Sequence, residues 1–249
     1  MTTAILLVAG VGSRLRPLTD ALPKCLVSLG EETILARMVR LLVDAGVTSL
    51  VASTGFAAEK IHEALADCPV PVRFAHNPDY DRVQNVVSLH RALAAAPDGP
   101  VMKLDGDVVF QPEVLRRLFA AAGDGRIVLD DRCPPREEAM KVEAPAGEPK
   151  GVLRFGKGLD PARCSGESIG IEWFSATHRA ALQRAVAAAV AAGQTQLYYE
   201  EVYSTLVAEG LALNTVAVGD LAWTEVDDHD DLARARALVA SWQIAPPAP

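Results

Sequence analysis

Apolar positions along the first half of the chain change period repeatedly, and each change marks an element. The run AILLVA near the start is apolar at both parities, as in a strand covered on both faces of a parallel sheet. ETILARMVRLLVDAG then brings Ile34, Met38, Leu41, Leu42 and Ala45 onto one helical face, with Gly46 as its stop. SLVAST reads as the next strand and AAEKIHEALAD as the next helix. VPVRFAH, NVVSLHRALAAA and PVMKLDGDVVF repeat the strand, helix, strand order. Such alternation predicts an α/β fold, a mostly parallel sheet flanked by helices.

After about residue 126 the rhythm changes. RIVLDD, AMKVEAP, GVLRFGKGL and ESIGIEWFS are strand-like with few helices between them, which predicts a mixed or antiparallel extension. Helices return near 176–192 and 197–209, followed by a strand pair, ALNTVAVG and AWTEVD, and a terminal helix, DDLARARALVASW.

Composition narrows the function classes. The chain has 249 residues, half of them hydrophobic, enough for one large α/β domain or two small ones. A net charge of -8 argues against a nucleic-acid binder held by a basic surface. Cys25, Cys68, Cys133 and Cys164 lack metal-ligand spacing, which fits a reducing cytoplasm. MTTAILLVAG has no basic leader segment, and no apolar run approaches the ~20 residues of a membrane span. The expected location is cytoplasmic, without a membrane partner. The alanine-rich helix near 180–193 offers a surface through which a homodimer could pack.

Candidate chemistry begins directly after the first strand, in AGVGSRLRPLTDALPK. Glycines after a first strand let backbone N–H groups approach phosphate oxygens. A G-x-G alone is equally a plain tight turn, and the third glycine of a dinucleotide fingerprint is missing. Three cations, Arg14, Arg16 and Lys24, nevertheless crowd this loop of an acidic chain, and Pro17 and Pro23 restrict it. A triphosphate cradle accounts for both the cations and the prolines.

This long stretch resembles the signature loop of nucleotidyltransferases that join a nucleoside triphosphate to a phosphorylated sugar or alcohol. The resemblance runs over nearly the whole chain and is weaker between about 126 and 165. It implies a Rossmann-like domain over 1–241, with a nucleotide-binding half (1–125), an acceptor-binding half (126–241) and a Pro/Ala-rich tail (242–249). It implies phosphate contacts from Ala9, Gly10, Gly12, Ser13 and Arg14, with Lys24 on the reacting phosphates. Arg14 and Lys24 would be the catalytic cations.

Two acidic segments carry the remaining chemistry. KLDGDVVF ends an apolar strand with Asp105 and Asp107, although D-G-D by itself is more often a polar turn. WTEVDDHDDL sets Glu225 and Asp227 on alternate positions, while Asp228, Asp230 and Asp231 read as the cap of the final helix. In the family one Asp from each segment holds Mg²⁺, and Asp107 and Asp227 match those places. Asp105 would support the nucleotide and Glu225 the acceptor. The five histidines show neither triad nor metal spacing and are read as bystanders.

The sequence is nearest to the branch that activates phosphocholine and phosphonates with CTP. Gln84, Asn85 and Ser88 stand where that branch has Asn-Asn-x-x-Ser, with Gln84 replacing the first Asn. Lys157 matches a lysine on the acceptor phosphate. Glu167, Tyr199 and Glu201 are expected around the acceptor, where ring faces and carboxylates suit a cationic group. An equally open reading of QLYYEEVY is a helix with tyrosines packed inward and glutamates exposed. The expected activity is transfer of CMP from CTP to a small phosphorylated alcohol or phosphonate with release of pyrophosphate. The other readings are a sugar-1-phosphate nucleotidyltransferase and a non-catalytic nucleotide-binding relative; Lys24, Asp107 and Asp227, all present, speak against the latter.

Overall fold

The computed structural model describes residues 1–132, 135–145 and 151–244; Cys133 and the end of the tail, 245–249, lie outside them. The first strand, β1 (Thr3–Leu7), lies in the interior of the main sheet. It pairs in parallel with β2 (Ser49–Thr54) on one side and β4 (Val101–Asp105) on the other. Beyond β2 lies β3 (Val72–His76), also parallel. On the other flank β9 (Gly166–Phe174) runs antiparallel between β4 and β6 (Gly125–Asp130), and β10 (Asn214–Ala217) closes that edge parallel to β6. A ribbon of β7 (Lys141–Glu143) and β8 (Arg154–Gly156) folds against β9.

The helices sort by the alternation of strand side chains. Ala4 and Leu6 of β1 face α1 (Ile34–Asp44), α2 (Ala58–Ala64) and α4 (Glu113–Ala120) in one core cluster. Ile5 faces the opposite cluster, built with α3 (Asn85–Ala95), α5 (Ala176–Ala191) and α6 (Tyr199–Ala208). A third cluster joins Leu15, Val27 and Leu29 of the opening loop to Val109, Val226 and Leu232, the last on α7 (His229–Ile244). That cluster seats the loop against the acidic segments.

Two sequence expectations are corrected, and one helix went unread. PVMKLDGDVVF is not one strand but two in different sheets: β4, then β5 (Val108–Phe110), which pairs with β11 (Trp223–Glu225). The break has a steric cause at Gly106, whose N–H donates to the Leu7 carbonyl at 3.0 Å. A Cβ there would lie 2.6 Å from that carbonyl oxygen. ALNTVAVG and AWTEVD likewise do not pair with each other; β10 joins β6 and β11 joins β5. Helix α4 was not read from the pattern, although Val114, Leu115 and Leu118 follow Pro112 at helical spacing. No helix among the described residues is long and apolar enough to cross a membrane.

Candidate active site

The opening loop leaves the carboxyl end of β1 and returns through two single 3₁₀ turns, Ser13–Leu15 and Lys24–Leu26. Gly12 holds φ at 68°, in the left-handed region, and a Cβ on it would sit 2.8 Å from Lys24 Cβ. The two ends of the loop therefore touch through a glycine. The buried Thr19 hydroxyl donates to the Gly12 carbonyl at 2.7 Å, and buried Leu15 anchors the turn below.

Loop and acidic segments converge on Lys24. Its ammonium donates to Asp107 Oδ2 at 2.7 Å and to Asp227 Oδ1 at 2.6 Å. Arg14 pairs with the other Asp227 oxygen at 2.9 Å from an exposed position. Burial opposes the charge on Lys24, but Asp107 and Asp227 outweigh it and hold its pKa above the ordinary range. Burial likewise pushes against Asp227, yet Lys24 and Arg14 keep its carboxyl below the usual value. Burial beside the Asp107 and Asp227 charges, only partly offset by Lys24, pushes Glu225 up to about 8.

The donor set fits a hard divalent cation. Asp107, Glu225 and Asp227 offer ligand oxygens within 4.8 Å of one another. Asp107 Oδ1 is buried with no hydrogen-bond partner, and a buried orphan of this kind needs a counterpart. Carboxylate oxygens in small number, with phosphate completing the shell, are what Mg²⁺ prefers. Asp228 and Asp231 behave as the cap expected of them: the Asp230 and Asp231 N–H groups donate to Asp228 Oδ1, and those of Asp227 and Asp228 to Asp231 Oδ2.

Behind this rim lies a buried ionic cluster. Lys103, inside β4 and almost fully buried, places its ammonium 2.9 Å from Glu172 and 3.2 Å from Asp105. It also donates to the Tyr199 hydroxyl, which in turn donates to Asp105 Oδ2 at 2.6 Å. An unpaired buried ion costs several kcal/mol, so lysine and carboxylates must come together. Burial, only partly offset by Lys103, pushes Glu172 up to about 8 and Glu200 up to about 7.

Two cavities flank Asp105, Asn85 and Glu225, which line both. The first, 290 Å³, is also lined by Ala9, Gly10, Lys24, Gln84, Ser88 and Asp107. The second, 480 Å³, is also lined by Arg14, Lys157, Asp227, Tyr198 and Glu200. Asn85 Oδ1 accepts from the Tyr199 N–H at 2.9 Å, and Ser88 accepts from Asn77 at 3.0 Å, so these side chains are held. Gly12 and Ser13 shape the loop without lining either cavity.

Three residues expected around an acceptor sit elsewhere. Glu201 is exposed and takes the Tyr198 N–H at 2.7 Å, closing the first turn of α6. Glu167 is buried against Arg136 at 3.0 Å. Tyr199 is fully buried and turned to Lys103 and Asp105. None of the three lines either cavity. Sequence reasoning overlooked Lys103, whose one signal is a lysine inside an apolar strand run, and took Glu201 where Glu200 lines the second cavity.

Comparisons with known proteins agree on the family and the fold. Residues 4–197 match the model of the MobA-like NTP transferase domain. The chain is 31% identical over 242 residues to a bifunctional IPC transferase and DIPP synthase from Rubrobacter xylanophilus, covering 96% of this chain and 52% of that protein. It thus spans about half the length of that relative. It is 27% identical over 246 residues to a 2-aminoethylphosphonate cytidylyltransferase from Lancefieldella rimae, covering 93% and 91% of the two chains. The solved structure of an inositol-1-phosphate CTP transferase from T. maritima shares the fold, with a TM-score of 0.77 at 21% identity over 99% of this chain and 98% of that one.

Proposed function

The chain belongs to the family of MobA-like NTP transferase domains, and on that premise we propose that it is a Mg²⁺-dependent cytidylyltransferase. It transfers CMP from CTP to a small phosphorylated alcohol or a phosphonate and releases pyrophosphate. The observation that carries this reading is the meeting of Lys24, Asp107 and Asp227 at one point between two cavities. The name of one relative, a 2-aminoethylphosphonate cytidylyltransferase, supports a compact acceptor rather than a polymer.

The chemistry follows from charge. An acceptor phosphate is largely dianionic near neutral pH, because its second pKa is about 6. One of its oxygens attacks the α-phosphorus, forming a new O–P bond as the bond to pyrophosphate breaks. No proton has to be removed, so no general base is needed. The barrier is repulsion between anions, which positioning and fixed cations lower. Asp107 and Asp227, with Glu225 beside them, would hold the Mg²⁺, which when bound neutralises phosphate charge. Lys24 and Arg14 supply fixed positive charge at the same place, with Lys24 moving from the carboxylates onto the triphosphate. Lys157 meets the anionic end of the acceptor; its ammonium lies 4.6 Å from the Tyr198 ring centre.

Gln84, Asn85 and Ser88 put amides and a hydroxyl at the first cavity, which favours one ring over two. The test is a matrix of four nucleoside triphosphates against phosphonates, phospho-alcohols and hexose 1-phosphates, read by pyrophosphate release. CTP with a small acceptor is expected to lead. A hexose 1-phosphate outperforming every small acceptor would overturn the reading.

A further inference from the structure

We infer that Glu200 reads the end of the acceptor remote from its phosphate, and that the acceptor this site selects carries an ammonium group there. The inference rests on the proposed transfer to a small phospho-acceptor and deepens it. Its ground is a mismatch of charge around one buried side chain. Glu200 is 5% exposed, lines the 480 Å³ cavity together with Lys157, and has a carboxylate oxygen, Oε2, with no hydrogen-bond partner. A buried carboxylate oxygen left without a donor is costly, and a ligand that supplies one is favoured accordingly.

Among the described residues no group donates to that oxygen. Lys103 and Asp105 face it from β4, Glu172 from β9, and Tyr199 and Tyr203 from its own helix. One ammonium thus serves three carboxylates, and Lys103 is already committed to Asp105, Glu172 and the Tyr199 hydroxyl. Glu172 Oε1 is a second buried carboxylate oxygen without a partner. The cluster makes up its shortage of positive charge with protons: burial raises Glu172 to about 8 and Glu200 to about 7. A hydroxyl at the far end of an acceptor would leave that deficit standing; an ammonium removes it. Glu137 and Glu138 line the same cavity but are exposed, so water and salt screen them. The selective carboxylate is the buried one.

The experiment is calorimetric binding of 2-aminoethylphosphonate and 2-hydroxyethylphosphonate to the full chain and to Glu200→Gln and Glu201→Gln. The wild type is expected to prefer the amine by about tenfold or more, Glu200→Gln to lose the preference, and Glu201→Gln to keep it. Equal binding of the two by the wild type, binding of neither, or a preference that survives in Glu200→Gln overturns the inference. If Glu200→Gln does not fold, Glu200→Asp takes its place: a reduced amine preference supports the role, and an unchanged one overturns it. Pyrophosphate release from CTP with the same two compounds separates this inference from the reading beneath it. A clear binding preference without turnover leaves the ammonium site standing and sinks the transferase reading. Equal turnover with equal binding does the reverse.

Discussion

Lys24 and Asp227, 203 positions apart in the chain, meet at 2.6 Å. The contact ties the opening loop to the turn before the last helix, and Asp107, in the turn between β4 and β5, completes it at 2.7 Å from the same ammonium. An ammonium between two carboxylates holds the place where opposite charge is wanted. Asp107 and Asp227 would hold a divalent cation there, which would supply charge neutralisation, and would leave the Lys24 ammonium for the phosphates.

Lys24→Ala is expected to lower kcat more than it raises the KM for the triphosphate. Its charge matters most as negative charge shifts onto the leaving pyrophosphate. Steady-state kinetics with CTP varied at saturating acceptor decide the matter. A loss confined to KM would make Lys24 a uniform binding residue.

Asp107→Ala and Asp227→Ala are each expected to abolish turnover while the fold persists. Each variant still leaves Lys24 one carboxylate partner, so its buried ammonium is not stranded. Circular dichroism and pyrophosphate release, measured on the same samples, check both halves. Near-normal activity in either variant would show that the metal ligands lie elsewhere.

Glu225 gives a pH dependence of known sign. Its pKa rises on folding from 4.5 to about 8, so between those values the folded chain binds more protons than the unfolded one. Stability from this group is therefore lost as pH rises through that window. Metal-free Glu225→Gln, which mimics the protonated form, is expected to show a smaller fall in melting temperature from pH 6 to 9 than the wild type. Parallel curves would contradict the assignment.

Much of the sheet was legible because central strands and amphipathic helices carry different periods, as β1 and α1 do. The opening loop stood out because glycines, cations and prolines are compressed into one stretch. What escaped depends on long-range approach. Nothing local to PVMKLDGDVVF announces that Gly106 must clear the Leu7 carbonyl, so one run became two strands. Glu200 and Glu201 are adjacent in sequence, and only the phase of α6 decides which is wall and which is cap. Lys103 was hidden because a strand buried on both faces leaves no polar alternation for a lysine to break. The cap of α7, by contrast, is a local pattern and was read correctly.

The first cavity should discriminate by ring size. With Asn85 held by the Tyr199 N–H and Ser88 by Asn77, neither side chain is free to swing aside for a purine. We expect kcat/KM for CTP to exceed those for ATP and GTP by about tenfold or more. Comparable values for GTP would point to a nucleotide-sugar product instead.

The central claim is that bond formation occurs at the α-phosphorus, and one ³¹P NMR spectrum tests it most directly. CTP, Mg²⁺ and 2-aminoethylphosphonate are incubated with the full chain, and with Asp107→Ala as a control. The account predicts equal amounts of a CMP–phosphonate anhydride and pyrophosphate with the wild type, and unchanged CTP with the variant. CDP with a phosphorylated acceptor, or hydrolysis of CTP without acceptor incorporation, would contradict it.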